Sequence, residues 1–171
     1  VVTEIYYTTT DGKPLSLDSS KFDVSITGNV YDNNRDMFVL SFDGELSSIL
    51  ASAFNGKSTL ETIIISEGVT SIGYRAFSGC SSLTSVAIPD SVTTIGDSAF
   101  IGCSSLTSVN IPDSVTSIGN SAFYNCYSLT SVNIPDGVTS IGDSAFGYCD
   151  DLTSVVIPDS VTMICSHTFE S

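Results

Sequence analysis

The sequence has few positive charges and few of the residues that enzymes use. Its 171 residues include five Lys plus Arg against nineteen Asp plus Glu, for a formal net charge of −14. The five cations all lie in the first half and form no basic patch, which argues against binding of nucleic acid or of anionic membranes. No apolar run reaches the roughly 18 residues of a membrane span, so we expect no membrane insertion.

The inventory for catalysis is equally small. Histidine occurs once, at position 167, and tryptophan is absent. A general base or a Ser-His-Asp arrangement would have to use His167. Cys165 lies two residues before it, but nothing in the sequence suggests a pocket or a third group that would orient the pair. No glycine-rich phosphate loop is present, because the glycines follow a regular spacing along the chain. These absences predict no enzyme activity, no catalytic residue and no cofactor.

What the sequence does contain is a 23-residue repeat without insertions. Residues 83–105 read LTSVAIPDSVTTIGDSAFIGCSS, and residues 106–128 read LTSVNIPDSVTSIGNSAFYNCYS. Further copies begin at residues 129 and 152, and a looser copy begins at residue 60. A fixed period in this range is typical of a solenoid, in which each unit buries its apolar side against its neighbours.

Each copy contains the pattern of a strand, a turn and a second extended piece. In the copy at residue 83, Leu83, Val86 and Ile88 are apolar. Val86 and Ile88 are two residues apart, which is the spacing of a strand with one face toward the core. Pro89 ends the strand because it cannot donate to a β-ladder. Asp97 stands where a helix N-cap would, ahead of Ser-Ala-Phe. We therefore expect parallel strands about 4.8 Å apart and a short helix of one turn in every coil.

The pattern LTSVxIPDSVTxIGxSAFxxC resembles the BspA-like leucine-rich repeat family of bacterial surface proteins, over residues 60–169. The resemblance implies an α/β leucine-rich-repeat solenoid, built as a right-handed superhelix of 23-residue repeats. Because the back of each coil is narrow, we expect the solenoid to be β-rich and only mildly curved. At the usual ladder-asparagine position the chain departs from ordinary leucine-rich repeats and has Gly68, Ser91, Ser114, Gly137 and Ser160.

The repeats do not begin at residue 1. Residues 1–36 lack the period but contain strand and hairpin patterns, so we expect an N-terminal cap over the first open end of the solenoid. Residues 37–171 then form the repeats, with coils that begin at residues 37, 60, 83, 106, 129 and 152. The last coil is incomplete, and because its strand edge would be open, we expect weak homo-association through it.

Three columns of equivalent residues could carry chemistry. Cysteines one full repeat apart do not have the spacing of a zinc site, and we expect buried, reduced thiols at Cys80, Cys103, Cys126 and Cys149. The acidic columns could be calcium ligands or simply turn and N-cap residues, since exposed charges about 5 Å apart repel by only about 1 kcal/mol in water. We predict no metal site, with calcium as the alternative, at Asp90, Asp113, Asp136 and Asp159 and at Asp97, Asn120 and Asp143.

Outward-pointing strand residues form an uncharged face with many hydrogen-bonding groups. They are Thr84, Ser85, Thr107, Ser108, Asn110, Thr130, Ser131 and Asn133. Leucine-rich repeats commonly bind partners on such a face, although Thr and Ser also suit exposed strand positions in general. Tyr124, Tyr127 and Tyr148 cluster near the expected helical turns, where they either anchor a partner or a sugar, or cover the outside of the core.

We interpret the chain as a protein-binding or adhesion module of an extracellular or cell-surface protein. The expected partner is an unidentified host or bacterial protein or glycan, and the resemblance suggests extracellular matrix proteins. The alternative is a structural spacer that holds another domain away from the cell. The chain begins at Val1 rather than at Met, and we expect an export signal to have been removed.

Overall fold

Strands make up almost all of the regular structure in the computed structural model, which describes residues 3–171. The single helical segment in this range is a 3-10 turn at Ser19–Lys21. No helix here is both long and apolar enough to cross a membrane. The strands are β1 (Glu4–Thr9), β2 (Ile26–Asp32), β3 (Met37–Phe42), β4 (Ser48–Ile49), β5 (Leu60–Ile64), β6 (Ser71–Ile72), β7 (Ser85–Ala87), β8 (Thr94–Ile95), β9 (Ser108–Asn110), β10 (Ser117–Ile118), β11 (Ser131–Asn133), β12 (Ser140–Ile141) and β13 (Ser154–Val156).

The repeats contribute two sets of parallel strands. The back strands β4, β6, β8, β10 and β12 form one sheet in that spatial order, and residues one repeat apart pair, as Ser117 does with Ser140. Among the front strands, β5 pairs with β7, while β9, β11 and β13 form a separate sheet of three strands. The structure thus confirms a parallel β-solenoid with the repeat length that the sequence predicts.

The expected helical turns are wrong, and the fold is therefore not α/β. Ser98 and Ser121 have φ values of 56° and 52°, in the left-handed region that a right-handed helix excludes. Alternate residues of this segment donate their N–H groups to the next coil, Ser98 to the carbonyl of Asn120 and Phe100 to that of Ala122, both at 2.8 Å. The residues between them close tight turns within their own coil. Bonds along the stack thus replace the helix.

Asp97 does not cap a helix either. Its Oδ1 accepts the backbone N–H of Asn120 at 2.8 Å, and Oδ1 of Asn120 accepts the N–H of Asp143 at the same distance. This column therefore ties each coil to the next. The serines at the ladder-asparagine position have a similar role, since Ser114 Oγ donates to the carbonyl of Val92 at 2.6 Å.

An antiparallel unit covers the first coils. β1 lies between β3 and β5 and pairs antiparallel with both, and β2 pairs with the outer side of β3. Residues 37–59 have a mixed character, because β3 belongs to this unit whereas β4 follows the repeat register, with Ser48 opposite Ser71. The division of the chain at residue 36 stays a prediction.

Equivalent phenylalanines form one row through the interior. Their ring centroids are 5.0 to 5.7 Å apart and their planes differ by 2° to 6°, which is an offset-stacked arrangement. All but the last are at most 1% exposed. The sequence prediction of a single interior row is confirmed for Phe77, Phe100, Phe123 and Phe146, and the row extends to Phe54 and Phe169.

Candidate binding surfaces

The predicted outward strand residues do lie together on one surface, which we call the front face. Asn110 lies opposite Asn133 and Ser108 opposite Ser131 on the paired strands β9 and β11. Val109, between Ser108 and Asn110, is 4% exposed and anchors its strand to the core. The front face consists of eight exposed residues: Thr84, Ser85, Thr107, Ser108, Asn110, Thr130, Ser131 and Asn133.

The side chains of the front face differ in what they offer a partner. The hydroxyl of Thr84 donates to the carbonyl of Glu61, and that of Thr130 donates to the carbonyl of Thr107, each at 3.1 Å. These donors therefore serve to join coils. The amides of Asn110 and Asn133 are exposed, and each carries donors and an acceptor. The asparagine pair is thus the part of the front face best suited to hydrogen-bond a partner.

A second surface, the tyrosine cluster, consists of Tyr124, Tyr127 and Tyr148. The rings of Tyr124 and Tyr148 meet edge to face, with centroids 5.2 Å apart and planes at 68°. Tyr127 is 44% exposed. Desolvation raises the pKa of the Tyr124 phenol, and the nearby Tyr148, Glu170 and Tyr127 raise it further. The structure thus brings together the three tyrosines that the sequence singled out.

Tyr148 has an unusual backbone conformation. Its φ is 53°, and the equivalent residues of the earlier coils are Gly56, Gly79, Gly102 and Asn125, with φ between 60° and 73°. Glycine adopts this conformation at no steric cost, whereas an L side chain costs about 1–2 kcal/mol there. Tyr148 therefore occupies, at a cost in stability, a position that the earlier coils fill with Gly or Asn.

The cysteine column lies inside the coils, next to the phenylalanine row. Cys80 Sγ donates to the carbonyl of Phe54 at 3.1 Å, and the next three cysteines repeat this bond one coil further along. All five thiols of the chain are free, and only Cys165 is not buried. Burial raises the pKa of Cys80 to about 12 and that of Cys149 to about 11.

This burial predicts how the thiols react. In the native protein near neutral pH we expect a thiol reagent to modify Cys165 alone, because the thiolate is the reactive form and the buried groups stay protonated. In denaturant all five should react. Cys165→Ser is the matched control and should give no rapid modification when native and four thiols when unfolded. Rapid native labelling of several cysteines, or fewer than five in denaturant, would contradict the burial.

The acidic columns and the lone histidine are on the outside. Among residues 3–171, no three His, Cys, Asp or Glu side chains come together as a group that could hold a metal. His167 Nδ1 is 3.9 Å from Asp143 Oδ1, and both side chains are more than half exposed. Water screens such an exposed pair strongly. The absence of a metal site and of enzyme activity both stay predictions.

The sequence places this solenoid in a known family. The family described as BspA type leucine-rich repeat region matches residues 25–171, in six copies. The chain belongs to this family. BspA-type proteins are repeat scaffolds that are generally surface-associated and serve in protein interaction.

Solved structures of leucine-rich repeat proteins extend the comparison. The chain is 42% identical to a leucine-rich repeat protein from Bacteroides ovatus, with a TM-score of 0.66 over 71% of this chain and 31% of that one. It is 36% identical to the T. pallidum leucine-rich repeat protein TpLRR, with a TM-score of 0.64 over 65% of this chain and 52% of that one. The pneumococcal vaccine antigen PcpA, at 23% identity and a TM-score of 0.54 over 67% and 35% of the two chains, shares the fold alone. The chain thus spans about half of TpLRR and less than half of the other two. No curated protein matches the chain.

Proposed function

We propose that this chain is a binding module of a bacterial cell-surface or secreted protein and that its front face contacts the partner. The observation that supports this most is the in-register pair Asn110 and Asn133, exposed on strands whose other side is buried. Strands held in this way present polar groups in fixed positions, so less conformational entropy is lost on binding. Family membership supports display at the surface. The partner is a host or bacterial protein or glycan, and the expected role is adhesion.

This proposal predicts that charge on the front face weakens binding while charge elsewhere does not. The variant Asn110→Lys/Asn133→Lys should lose at least about tenfold in affinity, because it desolvates two ammonium groups at the contact. The control Ser117→Lys/Ser140→Lys changes net charge equally but lies on β10 and β12, in the back sheet. Binding would be measured on a panel of immobilised extracellular matrix proteins, bacterial surface proteins and glycans. No saturable binding, or equal losses in both variants, would contradict the proposal.

We also propose weak self-association through the last coil. β13 is the edge strand of its sheet, and its last residue, Val156, is 75% exposed. Met163, also in the last coil, is 69% exposed. An open strand edge beside exposed apolar side chains favours pairing with another copy.

The predicted result is a scattering mass that rises with concentration toward that of a dimer. Val156→Lys should remain a monomer, because it places a charge beside the open edge. Thr94→Lys, on the interior back strand β8, should associate as the unmodified chain does. A strict monomer at high concentration would contradict self-association.

A further inference from the structure

The tyrosine cluster lies in a part of the chain that has no cation of its own. All five Lys and Arg occur at or before Arg75, whereas nine of the nineteen acidic residues follow it. One of these, Glu170, lies beside Tyr124, and its carbonyl accepts the backbone N–H of Tyr148. Residues 76–171 therefore carry a net negative charge, and one of their carboxylates, that of Glu170, acts directly on the Tyr124 phenol.

Elsewhere in the chain, arginine and tyrosine occur as pairs. The guanidinium of Arg35 lies over the ring of Tyr6, 5.0 Å from its centroid, and that of Arg75 lies over Tyr74 at 5.2 Å. Both arginines of the chain are used in this way. Such contacts are favourable because the face of the ring carries negative potential. The rings of the tyrosine cluster have the same chemistry, but residues 76–171 contain no Lys or Arg that could lie over them.

The fold does not need aromatic residues at these positions. Tyr148 is strained in the left-handed region, and Tyr127 is 44% exposed. Strained residues concentrate at binding sites, where their cost is offset by function. The coil that begins at residue 60 forms the same turn with small residues at the three equivalent positions, Ser78, Ser81 and Gly79.

We propose that the tyrosine cluster binds an arginine or lysine side chain from a basic segment of a partner protein. The proposal rests on the binding role proposed above and adds a site separate from the front face. The rings supply cation–π contacts, while Glu170 and the surrounding negative charge attract the basic segment. A neutral glycan would gain nothing from this charge, and an acidic glycan would be repelled, so the surface favours a basic protein.

The test uses a synthetic peptide of alternating arginine and glycine. Its control peptide contains citrulline, which keeps the shape of arginine but has no charge. The protein variant Tyr124→Ser/Tyr127→Ser/Tyr148→Gly carries residue types of the coil at residue 60 and preserves the net charge of −14. Affinities would be measured by calorimetry. We expect the variant to bind the arginine peptide at least about tenfold more weakly than the unmodified protein does. We expect the unmodified protein to bind the citrulline peptide at least about tenfold more weakly than the arginine peptide.

Three results would overturn the proposal. Equal binding of the arginine peptide to the variant would show attraction by net charge only. Equal binding of the two peptides would show that the cation is not recognised, and cluster-dependent binding of a neutral chitin oligosaccharide without peptide binding would make this a glycan site. Asn110→Ala/Asn133→Ala should still bind the peptide, so failure of the front face and failure of the cluster are distinguishable. If circular dichroism shows the triple variant unfolded, the exposed Tyr127→Ser decides by the same comparison.

Discussion

Replacing Phe100 by alanine is expected to lower the free energy of unfolding by about 4 kcal/mol. Phe100 is fully buried, and its ring lies 5.0 Å from that of Phe77 and 5.2 Å from that of Phe123. The coils above and below are fixed by hydrogen bonds along the stack, such as that from Phe100 N–H to the Ala122 carbonyl. They cannot close over the missing ring, so the substitution leaves a cavity, and the cost includes both lost burial and that cavity.

The matched control is Phe169→Ala, at the end of the same row. Phe169 contacts a single ring of the row, that of Phe146 at 5.7 Å, and is 38% exposed. We expect the free energy of unfolding to fall by about 1 kcal/mol there, because folding removes less of the apolar surface of Phe169 from water than of Phe100. Both losses would be measured by urea unfolding followed by circular dichroism. Equal losses for the two variants would contradict a continuous, rigid row.

Gly119→Ala is expected to cost about 3 kcal/mol, at the upper end of what overpacking usually does. A Cβ at this position would lie 2.5 Å from the backbone nitrogen of Asp97 and 2.6 Å from the carbonyl carbon of Gly96, on the preceding coil. Gly119 N–H also donates to the carbonyl of Ile95 at 2.9 Å. The coils would have to separate, which would stretch this bond and the one between Asp97 and Asn120.

Gly28→Ala provides the control for the glycine prediction. The nearest atoms to a Cβ at Gly28 are Cβ and Oγ of Ser41 at 3.7 Å, an ordinary van der Waals distance. Its unfolding free energy should therefore change little. Both variants would be unfolded in urea, and their midpoints compared provided that the slope of unfolding free energy against urea is the same for both. A Gly119→Ala protein as stable as the Gly28→Ala protein would show that the coils do not approach as closely as described.

The sequence was sufficient to predict the stack because a fixed period places equivalent residues next to one another. Phe100 follows Phe77 by one repeat length, and the rings accordingly lie in contact. The inward direction of Val86 and Val109 also followed from alternation along a short strand. The glycine that recurs along the repeats is explained only by the structure, since a Cβ at Gly96 would lie 2.9 Å from the carbonyl carbon of Gly73 on the preceding coil.

The helical turn could not be excluded from the sequence, because Asp followed by Ser-Ala-Phe satisfies local capping rules. A single turn gains almost no internal hydrogen bonds, so nucleating it is unfavourable. Neighbouring coils offer carbonyls such as those of Asn120 and Ala122, and bonds to them decide the conformation. The insertion of β1 between β3 and β5 was equally unpredictable, since it depends on pairing between residues that are distant in the chain.

The candidate surfaces were predicted in part. Period-2 alternation identified the outward residues of the front face, but it could not show that the hydroxyls of Thr84 and Thr130 donate to neighbouring coils. The sequence placed the three tyrosines near one another on neighbouring coils, because the repeat fixes which positions are adjacent. The edge-to-face contact of Tyr124 with Tyr148 and the strained backbone of Tyr148 required coordinates.

The most direct test of the stacked coils is a set of nuclear Overhauser effects between phenylalanine rings in protein with isotopically labelled Phe. Successive ring centroids in the series Phe77, Phe100, Phe123 and Phe146 are 5.0 to 5.3 Å apart. We predict ring-to-ring effects between successive members and none between Phe77 and Phe123, which are two coils apart. If Phe100 showed no ring-to-ring effect with either Phe77 or Phe123, the stack would be contradicted.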